Sequence, residues 1–133
     1  MTTHILDASA ILALLYQEPG WKKVKEVLLA EKHAMSSVNY AEVVSKSRDG
    51  GIPMPALQEI LAQLNLSILP FDQAQATIVG DLRPPTRGLG LSLGDRACLA
   101  LAITLGATAV TADRAWLSLP PDLSVPILYL RDR

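Results

Sequence analysis

The 133-residue chain fits one domain of residues 1–133, and its one cysteine, Cys98, excludes an internal disulfide and suits a reducing compartment. A formal net charge of -1 argues against broad electrostatic capture of nucleic acid, although cations bound by clustered acids invert the local field. Half of the residues are hydrophobic and only 5% are aromatic, so the core is aliphatic, as suits a covered parallel sheet with helices around it.

In chain order, residues 4–6 read as a short strand, followed by a helix from Asp7 that Pro19-Gly20 stops. Apolar residues at 21, 24, 27 and 28 predict a helix over 21–32 with its lysines outward. Residues 34–38 suit a second strand. Asn39 is placed to cap a helix reaching about Arg48, which Gly50-Gly51 ends. A further amphipathic helix covers 53–64, and residues 66–71 read as a third strand.

Asp72 is placed to cap a helix that stops before Pro84-Pro85, and residues 84–91, with two Pro and two Gly, read as a loop. Ser92 to Asp95 open a helix ended by Gly106. A strand over 107–112, a helical turn over 113–119 and a last strand over 125–130 complete the chain. Strands alternating with helices predict right-handed crossovers and a parallel sheet covered on both faces. Strand order does not follow from the pattern.

The uncharged run 97–112 contains Gly106 and Thr104, Thr108 and Thr111, and falls short of the ~20 apolar residues of a membrane span. The N-terminus lacks the basic segment of a signal peptide. The expectation is a soluble, cytoplasmic protein with no membrane partner.

Four acids draw the reading toward function. Asp7 and Asp113 each follow a strand, where open α/β sheets bind ligands, yet each also suits a helix cap or turn. Asp95 lies three residues after Ser92, in the spacing of a capping box, so it lies near a helix N-terminus. Glu42 has Asn39 and Lys46 as helical neighbours, the pattern of a Glu→Lys pair on a solvated face, with a cleft-lining face as the alternative.

Other chemistries lack their residues. There is no HExxH or CxxC for zinc, no phosphate-cradling glycine loop and no nucleophile elbow. Oxygen ligands remain, and these select Mg²⁺ or Mn²⁺.

The flanks of these acids resemble the PIN-domain family, especially VapC-type toxins of toxin–antitoxin pairs. Leu6-Asp7-Ala8-Ser9-Ala10 resembles its first motif and Ser37-Val38-Asn39-Tyr40-Ala41-Glu42-Val43 its second. The run from Leu91 through Ser92-Leu93-Gly94-Asp95-Arg96 to Ala102 resembles the third, and Thr111-Ala112-Asp113-Arg114-Ala115-Trp116 the fourth. The likeness runs from Ile5 to about Leu130. It departs at Trp116 and Leu117, where the family sometimes carries one more acid.

The resemblance implies an α/β/α sandwich around a parallel sheet and a Mg²⁺- or Mn²⁺-dependent endoribonuclease. It also implies inhibition by a cognate antitoxin, and a homodimer. Under it, Asp7 and Asp95 are the primary metal ligands, Asp113 completes the site, and Glu42 binds a water or a second ion. Ser9 and Thr111 are placed to orient ligands, or only to cap backbone. Arg96 and Arg114 adjoin two of the acids and are candidates for phosphate contact. Trp116, Trp21 and Cys98 read as packing residues. The rival reading is a PIN-like RNA-binding or scaffold protein without catalysis. A phosphate-sensing receiver or an Asp-nucleophile phosphatase would need a second acid beside Asp7, where Ala8 and Ser9 stand.

Overall fold

The computed structural model describes residues 3–30 and 32–132. Among these, β1 (His4–Leu6), β2 (His33–Ser36), β3 (Ile68–Leu69), β4 (Thr108–Thr111) and β5 (Ile127–Tyr129) form a five-stranded sheet in the order β3-β2-β1-β4-β5. Every pairing is parallel. The chain steps outward from β1 to β2 and β3, then returns to lay β4 on the other side of β1. The direction of winding therefore reverses between β1 and β4, the place where sheets of this kind open a crevice beyond their C-terminal strand ends.

The helices are α1 (Ala8–Leu15), α2 (Trp21–Ala30), α3 (Ser37–Asp49), α4 (Met54–Gln63), α5 (Gln73–Asp81), α6 (Arg83–Thr86) and α7 (Leu93–Leu105). Side chains alternate across a strand, and this sorts the core into two layers. Leu6, Met35 and Val110 pack with α1, α2, Val43 of α3 and α4. Their strand neighbours Ile5, Ala34 and Ala109 pack on the opposite face with Cys98, Leu99, Leu101 and Ala102 of α7. Ala97 and Ala100 of α7 meet Val79 of α5, the small side chains letting the two helices approach closely. The result is the expected α/β/α sandwich.

Local chemistry sets the helix ends. Ser92 accepts a hydrogen bond from Asp95 N–H while the Asp95 carboxylate accepts from Ser92 N–H, a complete capping box at the start of α7. Gly106 closes that helix at φ +62°, a conformation that costs most side chains energy. Lys46 and Arg48 lie in the last turn of α3, where cations favour the helix dipole.

Four details differ from the sequence-based expectations. Ser36, at the end of β2, caps α3 by accepting from Val38 N–H, so Asn39 lies inside the helix and not at its cap. Residues 84–91 are largely helical: α6 runs into a 3-10 turn over Arg87–Leu89. Pro84 and Pro85 are tolerated there because first-turn N–H groups have no helical acceptor, so their loss costs nothing. The strand expected over 66–71 pairs only at Ile68–Leu69, with Pro70, which has no N–H to donate, directly after it. In the helix expected over 21–32, residue 31 lies outside the described residues and the helix ends at Ala30.

Candidate active site

Asp7 directly follows β1, at the point where the winding reverses between β1 and β4. Leu6 pairs with Val110 across the β1–β4 ladder, so parallel register sets Asp7 level with Thr111. Thr111 Oγ1 donates to Asp7 Oδ2 at 2.6 Å, Ser9 Oγ donates to Oδ1 at 2.7 Å, and Ala10 N–H donates to Oδ1 at 2.9 Å. Asp7 therefore caps α1 and at the same time belongs to a buried polar network, only 3% exposed. Burial pushes its pKa up to about 6, partly opposed by the Thr111, Ser9 and Ala10 hydrogen bonds, with the Asp95 charge adding to the rise.

The network continues to Asp113, the second acid that follows a strand. Asp113 N–H donates to Thr111 Oγ1 at 3.0 Å, and Ala112 N–H donates to Ser9 Oγ at 2.9 Å. Asp113 Oδ1 accepts from Ala115 N–H at 2.9 Å, capping the 3-10 turn Arg114–Ser118. Ser9 and Thr111 thus tie Asp7 to the Asp113 loop from both sides, and Thr111 is fully buried.

Asp95 lies in the first turn of α7 and Glu42 lies on α3. Asp95 Oδ2 accepts from Ser92 N–H at 2.9 Å, and Oδ1 accepts no hydrogen bond from the described residues. Glu42 Oε1 accepts from Asn39 Nδ2 at 3.1 Å, and the same amide nitrogen donates to Gly94 O at 2.9 Å, next to Asp95 in the chain. Buried Cys98 lies within reach of the charges of three of these acids. Its thiol pKa is pushed far up by burial first, then by the charges of Asp7, Asp95 and Glu42.

The arginines separate. Arg96 Nη1 donates to Val79 O at 3.0 Å, tying α7 to α5. Arg114 is exposed beside Asp113. Trp116 and Cys98 are buried in the core, and Trp21 is half-buried with Lys22 Nζ 5.7 Å from its ring centre. Sequence reasoning missed Asn39 as a site residue. The helical spacing to Glu42 was the available signal, hidden by its suitability as a cap.

The donors suit a hard cation: they are carboxylates without a soft ligand, and Asp7 is a buried anion whose desolvation a cation relieves. Among the described residues, no three acidic, histidine or cysteine side chains are drawn together tightly enough to form a ready-made metal cluster. Three of the acids, Asp7, Asp95 and Asp113, serve as helix-terminal acceptors.

This arrangement belongs to a known class. The PIN domain family matches residues 4–120, and the chain is a member of that family. Solved structures share its fold over nearly the whole length. One is the DNA-bound VapBC of Salmonella typhimurium, at TM-score 0.74 and 18% identity, covering 98% of this chain and 99% of that one. Another is VapBC2 of Rickettsia felis bound to a promoter DNA fragment, at TM-score 0.71 and 21% identity, covering 96% and 98%. A third is FitAcB of Neisseria gonorrhoeae, at TM-score 0.66 and 23% identity, covering 94% and 96%. No curated protein sequence matches the chain. Among the described residues no helix is long and apolar enough to cross a membrane.

Proposed function

We propose that this PIN domain is a Mg²⁺- or Mn²⁺-dependent endoribonuclease, the VapC-type toxin of a toxin–antitoxin pair. The carrying observation is Asp7, a buried carboxylate at the strand-reversal crevice whose pKa of about 6 reflects desolvation and the nearby charge of Asp95. A cap needs neither burial nor a second acid.

In this reading Asp7 and Asp95 hold the cation, with Asp113 completing the set and Glu42 orienting water at the rim. When bound, the ion supplies an acidified water and offsets negative charge growing on the phosphate oxygens. Thr111 and Ser9 favour the ionised form of Asp7, against the larger effect of burial, and fix its orientation, since hydroxyl donors stabilise the charged carboxylate. Arg114, exposed beside Asp113, is free to meet phosphate; Arg96 has one guanidinium nitrogen engaged on Val79.

Solved structures of similar fold include a toxin–antitoxin complex from Klebsiella pneumoniae and the DNA-bound VapBC of Salmonella typhimurium, and this chain offers a surface for such a partner. A groove of about 480 Å³ runs between α1, α2 and α4, lined by Leu14, Leu15, Leu28, Leu29 and Leu64 with Lys25 at its side. Leu29 is 77% exposed. An amphipathic antitoxin segment fits there, and an arginine from it would pair with the crevice carboxylates through its planar fork. The resemblance also implies a homodimer, which light scattering reads directly.

One observation favours the rival reading, an RNA-binding PIN-like protein without catalysis: among the described residues the acids are not gathered into a metal cluster. The test is cleavage of structured and single-stranded RNA by purified protein. The nuclease reading expects product in Mg²⁺ or Mn²⁺ and none in EDTA. RNA binding without cleavage under all metal conditions supports the rival, and full activity in EDTA contradicts the metal mechanism.

A further inference from the structure

Asn39 stands out among the buried polar residues. It is 1% exposed, and its Oδ1 is buried without a hydrogen-bond partner. It lies inside α3, where Asn is a poor helix former, and the cap of that helix is Ser36. Both donor contacts of its Nδ2 point one way, to Glu42 Oε1 at 3.1 Å and to Gly94 O at 2.9 Å. Rotating the amide by half a turn would set its oxygen against two acceptors, so the orientation is fixed by chemistry. The orphaned oxygen is the cost of aiming the nitrogen.

Gly94 carries the complementary observation. It lies in the first turn of α7, where alanine is the better helix former. Its φ is not in the left-handed region, so backbone conformation does not call for glycine. Space does: a Cβ there would lie 2.6 Å from Glu42 Cδ and 2.8 Å from Oε2. The Glu42 carboxylate occupies the place of the missing side chain.

We propose that Asn39 is a positioning residue that, braced on the Gly94 carbonyl, holds the Glu42 carboxylate against the start of α7 beside Asp95, and that Gly94 is glycine to leave room for it. This rests on the metal-dependent reading above. It goes further by giving the rim acid a fixed place set by two residues that would not themselves touch the ion. Asn39 and Gly94 act on the site only through Glu42.

The test is Mn²⁺ binding by calorimetry, with melting temperature recorded in EDTA, for wild type, Glu42→Gln, Asn39→Ala, Gly94→Ala and the double variant Asn39→Ala/Glu42→Gln. Binding is measured well below each melting point. Asn39→Ala and Gly94→Ala should each weaken Mn²⁺ binding roughly 10-fold, the low end for groups that orient a ligand, and so match Glu42→Gln. Gly94→Ala should melt no lower than wild type, because the flexible end of Glu42 yields and helix propensity improves; affinity and stability then move apart. The double variant should bind no more weakly than Glu42→Gln alone.

Wild-type affinity in both Asn39→Ala and Gly94→Ala, or an Asn39→Ala loss of equal size in the Glu42→Gln background, overturns the positioning role while leaving the metal site intact. Should Asn39→Ala not fold, Gly94→Ala decides alone. Absence of Mn²⁺ binding to the wild type overturns the nuclease reading, and this inference with it.

Discussion

Asp7 and Asp72 begin their helices in nearly the same way. Each follows a strand, each has extended backbone angles, and each carboxylate accepts from the N–H three residues on at 2.9 Å. Around them everything differs. Asp72 is exposed at the start of α5, whereas Asp7 is buried, receives hydroxyls from Ser9 and Thr111, and has its pKa raised to about 6. A helix cap is a local property; a site comes from what other strands bring to it. The winding reversal between β1 and β4 brings Thr111 and Asp113 to Asp7, while β3, at the sheet edge, brings no second acid to Asp72.

Substitutions at both caps break this comparison apart. Asp7→Asn keeps most of the capping ability and removes the charge, so RNA cleavage should fall by roughly 10³-fold or more, about 4 kcal/mol of barrier. A near-wild-type rate in a folded Asp7→Asn protein would place the site elsewhere. Glu42→Gln should lose roughly 10²-fold, since it stands at the rim.

Thr111→Val removes the 2.6 Å donor that lowers the Asp7 pKa. Its cleavage should fall about 10-fold near pH 6.5. The sign follows from Asp7 acting ionised: activity disappears as pH falls through its pKa, and losing a donor raises that pKa. The acid limb of the pH–rate profile should therefore move to higher pH, with recovery in alkali. A uniform loss at all pH values would instead make Thr111 a packing residue. Asp72→Ala should change cleavage less than about 2-fold and cost about 1 kcal/mol of stability, as an ordinary cap does.

Much of this architecture is visible in the residues, and the exceptions have physical causes. Strand–helix alternation and the Ser92–Asp95 spacing read directly, because capping and periodicity are local. Strand order is not local, so the neighbourhood of Asp7 and Thr111 emerges only with the β1–β4 register. The expectations for Asp7 and Asp95 as caps hold in the structure, and a cap carboxylate keeps lone pairs that a ligand can use. Asn39 suits a cap by residue type, but Ser36 fills that role and leaves the amide for Glu42. The contact of Arg96 Nη1 with Val79 O is equally non-local, joining α7 to α5 across 17 residues of chain. Residues 84–91 looked like a loop because prolines break helices; here they begin one.

Apo-state stability tests most directly whether Asp7 is a site residue and not only a cap. A folded-state pKa of about 6 against 3.8 for the free side chain means that the native protein binds the extra proton between those values. The protonated form's advantage is fully present below pH 3.8 and is lost as pH rises through 6. At pH 7.5 the ionised carboxylate thus opposes folding, by about 3 kcal/mol at most. Urea denaturation of wild type and Asp7→Asn should be compared in EDTA at pH 7.5 and near pH 4, and again at pH 7.5 with millimolar Mn²⁺. The account predicts that Asp7→Asn is more stable by about 1–3 kcal/mol at pH 7.5 in EDTA. That gain should shrink toward zero near pH 4, and Mn²⁺ should stabilise the wild type more than the variant. An Asp7→Asn protein less stable than wild type in EDTA at pH 7.5, with equal Mn²⁺ shifts for both, would contradict it and leave Asp7 a cap like Asp72.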